Sequence, residues 1–173
     1  IAQKFNNDFK AEDFFKVPEP LIQKEFSRIM SLKDGLKKMS KSESSDLSRI
    51  NLTDDKDQIV NKIKKAKTDP LPLPETVAEL EKRPEAKNLI GIYSSLLNKN
   101  LEKSMMEFSG KNFSEFKEKL SQVIVEKITP VSTEINKLLN EKEYLDMILL
   151  KGYEKADKIA SKKVKKIHEI VGF

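Results

Sequence analysis

The stretch FKEKLSQVIVEKITPVSTEINKL, residues 116–138, repeats apolar side chains every three or four positions. These residues therefore lie along one face of a helix, a pattern typical of helices that pack against other helices. They are Phe116, Leu120, Val123, Ile124, Ile128, Val131, Ile135 and Leu138. Pro130 lies inside the run and removes one backbone hydrogen bond, so we expect a bend there and not a break.

The segments that precede this run also have helical patterns. Thr53 or Asp54 is expected to cap a helix that contains Ile59, Ile63 and Ala66 and ends at Thr68-Asp69-Pro70. After a stiff loop with three prolines, a short helix is expected over residues 76–81. Two further helices are expected, one that starts at Arg83-Pro84 and includes Leu89, Ile90, Tyr93, Leu96 and Leu97, and one that includes Leu101, Met105 and Phe108.

Two helices are expected after residue 138. Leu145, Ile148 and Leu149 predict a short helix that ends at Gly152. The last helix has one apolar stripe, made of Ala156, Ile159, Ala160, Val164, Ile167 and Val171. The chain from Thr53 to Val171 is therefore predicted to be a helical bundle, and the fold class is mainly α.

The N-terminal part has a mixed pattern. Ala2 to Phe9 resembles the end of a helix, and Pro18 and Pro20 favour an extended segment. Arg28-Ile29-Met30-Ser31-Leu32 predicts a short buried strand, and Lys33-Asp34-Gly35 predicts a turn. These pieces are expected to be a small α/β remnant of a larger layer.

The loop after this turn, Lys38-Met39-Ser40-Lys41-Ser42, combines two lysines and two serines in five residues. Ammonium groups and hydroxyls at this spacing suit a polyphosphate, since each lysine supplies a compact charge and each serine a short hydrogen bond. A solvated loop is the alternative, because lysine and serine are common on any surface.

Composition excludes some classes of protein and favours others only mildly. The chain has 173 residues, a formal net charge of +5 and no cysteine, so disulfides and thiolate metal sites are excluded. The positive charge favours a polyanionic partner but does not identify one. No apolar run is long enough to span a bilayer, and a cytosolic protein is expected.

Several of these segments together resemble one family. RIMSL (28–32), KKMSKS (37–42), INLTDD (50–55), KIKKAKTD (62–69) and the final VGF (171–173) occur in this order in the C-terminal half of tryptophanyl-tRNA synthetases. That family belongs to the class I aminoacyl-tRNA synthetases. The resemblance extends from Ile1 to Phe173.

The resemblance implies two domains and a set of site residues. Residues 1–52 would be the end of a Rossmann-like catalytic domain, and residues 53–173 a helical domain that binds the tRNA anticodon. ATP, carried with Mg²⁺, would contact Ile29 through its main chain and the loop through Lys38, Met39, Ser40, Lys41 and Ser42. Lys38 and Lys41 would be the catalytic residues, and no protein ligand for a metal is evident.

The family's second signature, His-x-Gly-His, is not in this sequence, which has a single histidine, His168. We expect the chain to be part of a longer homodimeric enzyme whose other half contains most of the L-tryptophan site. Alone, the chain is expected to form no tryptophanyl-adenylate. The loop also departs from many family members, since Glu43-Ser44 follows it in place of Asp-Pro, which favours a more flexible loop.

The partner tRNA(Trp) is implied, but the residues that bind it are unknown from sequence. Lysines of the last helix suit a phosphate backbone, although a solvated helix face is the more ordinary interpretation. These lysines are Lys155, Lys158, Lys162, Lys163, Lys165 and Lys166. Tyr93, Tyr144 and Tyr153 are candidates for stacking on a base, with Tyr93 at a core position. The alternative function is a stand-alone helical RNA-binding module in which the loop is a relic.

Overall fold

The computed structural model describes residues 1–22 and 26–173, which form two compact units. One unit contains residues 1–22 and 138–173, and the other contains residues 26–137 of the described chain. The elements are α1 (Ala2–Asp8), β1 (Met30–Ser31), β2 (Asp34–Lys38), a 3-10 turn (Asp46–Ser48), α2 (Lys56–Lys64), α3 (Val77–Glu81), α4 (Pro84–Leu96), α5 (Leu101–Glu107), α6 (Phe113–Asn140) and α7 (Lys142–Val171). The expected mainly helical fold is confirmed.

The second unit has one apolar core to which the hairpin and α2 to α6 contribute. Its largest fully buried side chains include Tyr93, Phe116, Leu32, Ile59, Ile63, Leu80, Leu89, Ile90 and Leu120. Tyr93, Phe108 and Phe116 meet edge to face with ring centroids 4.9–5.9 Å apart. The periodic positions of α4 and of the first half of α6 are thus core positions, as their spacing predicts.

The hairpin differs from the predicted strand and turn. β1 contains only Met30 and Ser31, and the turn lies at Leu32-Lys33, so that Asp34 begins a second, antiparallel strand. Gly35 is not a turn residue with positive φ but a buried strand residue. A Cβ on Gly35 would lie 2.6 Å from the Glu85 backbone nitrogen, so glycine is needed here for close approach of β2 to the start of α4.

The first predicted helix has a different cap and a different end. Asp55, and not Thr53 or Asp54, is the N-cap of α2, where its side chain accepts from the Gln58 N–H in a capping box. The helix ends at Lys64, so Ala66 lies beyond it, and the Lys67 N–H donates to the Leu32 carbonyl. The Lys117 side chain donates to the Ala66 carbonyl at 2.6 Å and thereby joins this helix end to α6.

The remaining helices of this unit follow the sequence closely. Pro84 occupies the first turn of α4, where N–H groups have no partner within the helix, so its missing N–H costs no helical hydrogen bond. α3 begins after Thr76, whose hydroxyl accepts from the Glu79 N–H. α6 is continuous through Pro130, as expected.

In the unit formed by residues 1–22 and 138–173, the structure differs from the sequence prediction at Gly152 and in the burial of the last helix. Gly152 does not end a helix, because α7 is continuous from Lys142 to Val171. None of the residues of α7 is buried, and Ile159 and Val164 of the apolar stripe are 75% and 46% exposed. The periodicity correctly identifies an apolar face of the helix, but it does not predict whether another part of the protein covers that face.

A cluster of four phenylalanines, Phe5, Phe9, Phe14 and Phe15, supports α1 in the same unit. Asn6 bonds both the N–H and the carbonyl of Phe15 and closes this segment onto α1. Lys163 of α7 lies over the Phe14 ring and donates to the Phe14 carbonyl. Across residues 1–22 and 26–173, no helix has the length and apolar character needed to cross a membrane.

Candidate functional site

The lysine-serine loop continues directly from β2. Lys38 is the last residue of that strand and lies opposite Met30 of β1. The next residue, Met39, donates its N–H to the Ile29 carbonyl at 3.0 Å, and its side chain packs against the core. The structure therefore brings Ile29 and the loop together, as the site prediction requires, while their roles stay predictions.

The middle of the loop is open to solvent, and the side-chain hydrogen bonds of its serines stay within the loop. The hydroxyls of Ser40 and Ser42 are 3.0 Å apart, and the Ser42 N–H donates to the Ser40 hydroxyl. Lys38, Lys41 and Ser42 are exposed. Neither lysine forms an ion pair with any residue that the structure describes, so both charges are available to a ligand.

Arg49, which sequence reasoning did not select, holds the end of the loop. Its Nη1 donates to the Glu43 carbonyl at 2.8 Å and to the Ser45 carbonyl at 3.4 Å. Its side chain is only 18% exposed. The signal in the sequence is an arginine six residues after Glu43, the first residue beyond the loop, which is too common a pattern to identify a role.

A buried ion network connects this arginine to α2. Arg49 pairs with Asp46 at 3.2 Å, and Lys62 bridges Asp46 at 2.6 Å and Asp54 at 2.7 Å. Lys62 and Asp54 are almost fully buried, with side chains 3% and 5% exposed. Asn51 completes the network, since its side-chain amide donates to both aspartates. The hydrogen bond from Lys62, together with that from Asn51, lowers the pKa of Asp46.

Asn88 of α4 supports β1 from its other side. Its Oδ1 accepts from the Met30 N–H at 2.9 Å, and its Nδ2 donates to the Met30 carbonyl at 2.8 Å. The side chain therefore takes the place of a third strand next to the residue that follows Ile29. The neighbouring Lys87 pairs with Glu81 at 2.5 Å.

Two cavities of this unit lie outside the loop. One of about 440 Å³ is bounded by β1, β2 and the start of α4, with Arg28, Met30, Gly35 and Asn88 in its wall. The other, about 810 Å³, lies between α2 and α6 and includes Val60, Phe113 and Val125. None of Lys38 to Ser42 lines either cavity.

The other candidate residues are dispersed. Tyr93 is buried and donates to Glu107 at 2.9 Å, which excludes it from stacking on a base, whereas Tyr144 and Tyr153 are exposed. Burial and this carboxylate together raise the pKa of Tyr93 to about 12. Lys163 is engaged by Phe14, while the other five lysines proposed on α7 are exposed. The carbonyl of His168 accepts from Gly172 and Phe173 at the end of α7.

A family model confirms the resemblance on which these roles depend. Residues 1–129 match the model described as tRNA synthetases class I (W and Y). The chain therefore belongs to the class I tRNA synthetase family for tryptophan and tyrosine.

The relatives with high identity are tryptophan enzymes. The chain is 50% identical over its whole length to a tryptophan–tRNA ligase of Caulobacter vibrioides and covers 50% of that protein. It is 49% identical to the tryptophan–tRNA ligase of Rickettsia felis, of which it covers 52%. The chain thus spans about half the length of the curated relatives that it matches.

Solved structures give the same result. A tryptophanyl-tRNA synthetase from Mycoplasma pneumoniae superposes with a TM-score of 0.80 at 25% identity, and the match covers 99% of this chain and 51% of that one. The enzyme from Campylobacter jejuni, complexed with ADP and tryptophan, superposes with a TM-score of 0.67 over the same shares. The expected resemblance to the tryptophan enzymes is confirmed.

Proposed function

We propose that this chain supplies the nucleotide-closing loop and the tRNA-binding helices of a tryptophan–tRNA ligase. The observation that carries the proposal is the pair of exposed lysines, Lys38 and Lys41, on a solvent-exposed segment that adjoins Ile29. A polyphosphate ligand is the chemistry for which two unpaired ammonium groups and two adjacent hydroxyls are suited.

In the reaction that we propose, the carboxylate of tryptophan attacks the α-phosphorus of MgATP. The bond between the α-phosphorus and the bridging oxygen breaks, and pyrophosphate leaves with the electron pair. Negative charge therefore grows on the leaving group, where Lys38 and Lys41 neutralise it. Because this charge is larger in the transition state than in bound ATP, such contacts accelerate the step more than they tighten binding.

The serines and Ile29 would bind the rest of the nucleotide. The hydroxyls of Ser40 and Ser42 bond each other in the free chain, and this bond would be exchanged for bonds to phosphate oxygens. The backbone of Ile29 would contact adenine at the edge of β1. The Mg²⁺ ion would arrive with ATP, since the described residues contain no group of three acidic, histidine or cysteine side chains that could hold a metal.

The second step would transfer the tryptophanyl group from the adenylate to the 3′ end of tRNA(Trp). The helices after residue 52 would bind the tRNA, with the exposed lysines of α7 as candidate contacts to its phosphates. We also propose that the chain is inactive alone, because it lacks the His-x-Gly-His signature that the family uses at the nucleotide.

Tryptophan-dependent pyrophosphate exchange tests the proposed roles. In a protein that joins this chain to a half with the His-x-Gly-His signature, we expect Lys41→Ala to lower the exchange rate about 100-fold or more. The KM for ATP should change about threefold at most. Lys33→Ala is the matched control, because Lys33 is exposed on the same hairpin but lies outside the loop. Equal losses in rate and in ATP affinity would contradict the transition-state role.

The same measurement on the 173-residue chain decides whether it acts alone. We expect exchange at background level, and exchange clearly above background would overturn this part of the proposal. For the alternative, an RNA-binding module with a relic loop, Lys41→Ala in the joined protein would leave both exchange and ATP binding unchanged.

A further inference from the structure

The two ends of the lysine-serine loop are fixed, but its middle is not. At the entry, Met39 is anchored by its backbone bond to Ile29 and by packing of its side chain on the core. In the middle, the bonds made by the side chains of Ser40 and Ser42 stay within the loop. A ligand that binds here therefore meets a segment of about three residues whose freedom is set by its two anchors.

The anchor at the exit is the guanidinium of Arg49. Its Nη1 reaches the Glu43 carbonyl at 2.8 Å, and its Nε donates to Asn51 Oδ1 at 3.2 Å. Its Nη2 pairs with Asp46 at 3.2 Å. All three nitrogens are thus engaged, and a lysine side chain cannot reproduce this arrangement, because a single ammonium does not present donors in a planar fork.

The anchor is itself held by buried charge. Asp46 and Asn51, which orient Arg49, are held in turn by Lys62 and Asp54 of the buried network. Since Lys62 belongs to α2, a continuous chain of hydrogen bonds connects the loop exit with the helical part of the unit.

We propose that Arg49 is a positioning residue for the phosphate-binding loop: it fixes the Glu43 carbonyl, so that only Ser40, Lys41 and Ser42 rearrange when phosphates bind. This inference rests on the proposed function of the loop. Arg49 does not touch the nucleotide in this scheme. It acts through Lys41, whose ammonium is placed correctly only if the loop exit does not drift.

Arg49→Lys in the full 173-residue chain tests the proposal by two measurements. Backbone ¹⁵N order parameters report the mobility of Glu43 and Ser44, and titration with inorganic tripolyphosphate and Mg²⁺ reports the affinity of the loop. We expect the order parameters of Glu43 and Ser44 to fall below about 0.6 while Met39 keeps its order. The affinity for tripolyphosphate should fall about two- to threefold, within the limit expected for loss of Lys41 itself.

Arg83→Lys is the matched control. Arg83 forms a comparable fork, to Asp69 and to the carbonyls of Leu71 and Pro72, but it is not bonded to the loop. It should leave the order parameters at Glu43 and Ser44 and the tripolyphosphate affinity unchanged. If Arg49→Lys does not fold, Asp46→Asn provides a milder test, since it weakens the hold on Arg49 at a half-exposed side chain.

Each outcome decides the proposal. Unchanged order parameters at Glu43 and Ser44 would show that Arg49 does not fix the loop exit and would overturn the proposal. Lower order parameters with unchanged tripolyphosphate affinity would show that Arg49 only restrains the loop exit, and this result would overturn its positioning role. If the wild-type chain binds neither tripolyphosphate nor MgATP at millimolar concentration, the proposed function of the loop is wrong, and the positioning role of Arg49 is wrong with it. The order parameters would still show separately whether Arg49 restrains Glu43 and Ser44.

Discussion

Asn88 pairs with the backbone of Met30 through both ends of its amide, at 2.9 Å and 2.8 Å. β1 has only two residues and one strand neighbour, so its other edge would otherwise leave an N–H and a carbonyl without partners. A side chain of α4 thus completes the hairpin that presents the loop.

Asn88→Ala is expected to lower the free energy of unfolding by about 2 kcal/mol, since it leaves the partly buried N–H and carbonyl of Met30 without partners. Urea denaturation at 25 °C measures the change. Lys87→Ala, the neighbouring residue with a half-exposed ion pair, should change stability by about 0.5 kcal/mol or less. Equal effects of the two substitutions would mean that Asn88 does not support β1.

Two glycines are expected to respond to alanine with opposite signs. A methyl group on Gly35 would lie 2.6 Å and 2.7 Å from backbone atoms of Glu85 and Pro84, so Gly35→Ala should destabilise by about 2 kcal/mol. Gly152 lies inside α7 with no atom near its added Cβ, so Gly152→Ala should stabilise by about 0.5–1 kcal/mol. Urea transitions followed by far-ultraviolet circular dichroism give both values. A destabilised Gly152→Ala variant would contradict the continuous helix.

These two glycines show where sequence reasoning succeeds and fails. Periodicity located α4, α5 and α6 because each helix has one face in the core, and it placed Tyr93 correctly inside. It assigned Gly35 to a turn and Gly152 to a helix end, since glycine is common at both. Only the tertiary neighbours of each residue decide between these roles and a strand or a helix interior.

The candidate site divides in the same way. The residue types of Lys38 to Ser42 predict phosphate chemistry without a structure, because the functional groups themselves carry the signal. Sequence reasoning does not select Arg49, Lys62 or Asn88 as site residues, since each acts by bonding a backbone group or a charged side chain whose position only the fold determines. Asn88 and Met30, for example, are 58 positions apart.

Lys62→Met is expected to destabilise the chain by about 3–5 kcal/mol. The substitution leaves the carboxylate of Asp54 buried without its ion-pair partner, and an unpaired buried charge is strongly unfavourable. Lys64→Met on the exposed face of the same helix is the control and should have little effect. In the double variant Lys62→Met/Asp54→Asn, part of the stability should return, because the buried charge is gone. Additive losses would show that the two side chains are not coupled.

The ion pair between Arg83 and Asp69 predicts how stability depends on acid. Burial alone would raise the pKa of Asp69, but the hydrogen bonds from Arg83 and from the Leu71 N–H outweigh it and lower that pKa below its ordinary value of 3.8. The folded chain therefore binds fewer protons at this carboxyl than the unfolded chain as the pH falls through about 3.8. The stabilisation is fully present above that pH and is lost below it.

Asp69→Asn removes this titration and isolates its contribution. The variant should be less stable than the wild type at pH 7. The difference should shrink as the pH is lowered from about 5 to about 3, where the Asp69 carboxyl of the unfolded wild-type chain takes up its proton before that of the folded chain does. The remaining acid dependence should come from other carboxyls with lowered pKa, namely Asp46, held by Lys62, Glu85, held by Lys67, and Glu107, held by Lys99. Urea transitions of both proteins across this range provide the measurement. A difference that stayed constant from pH 7 to pH 3 would show that Asp69 contributes by hydrogen-bond geometry and not by its charge.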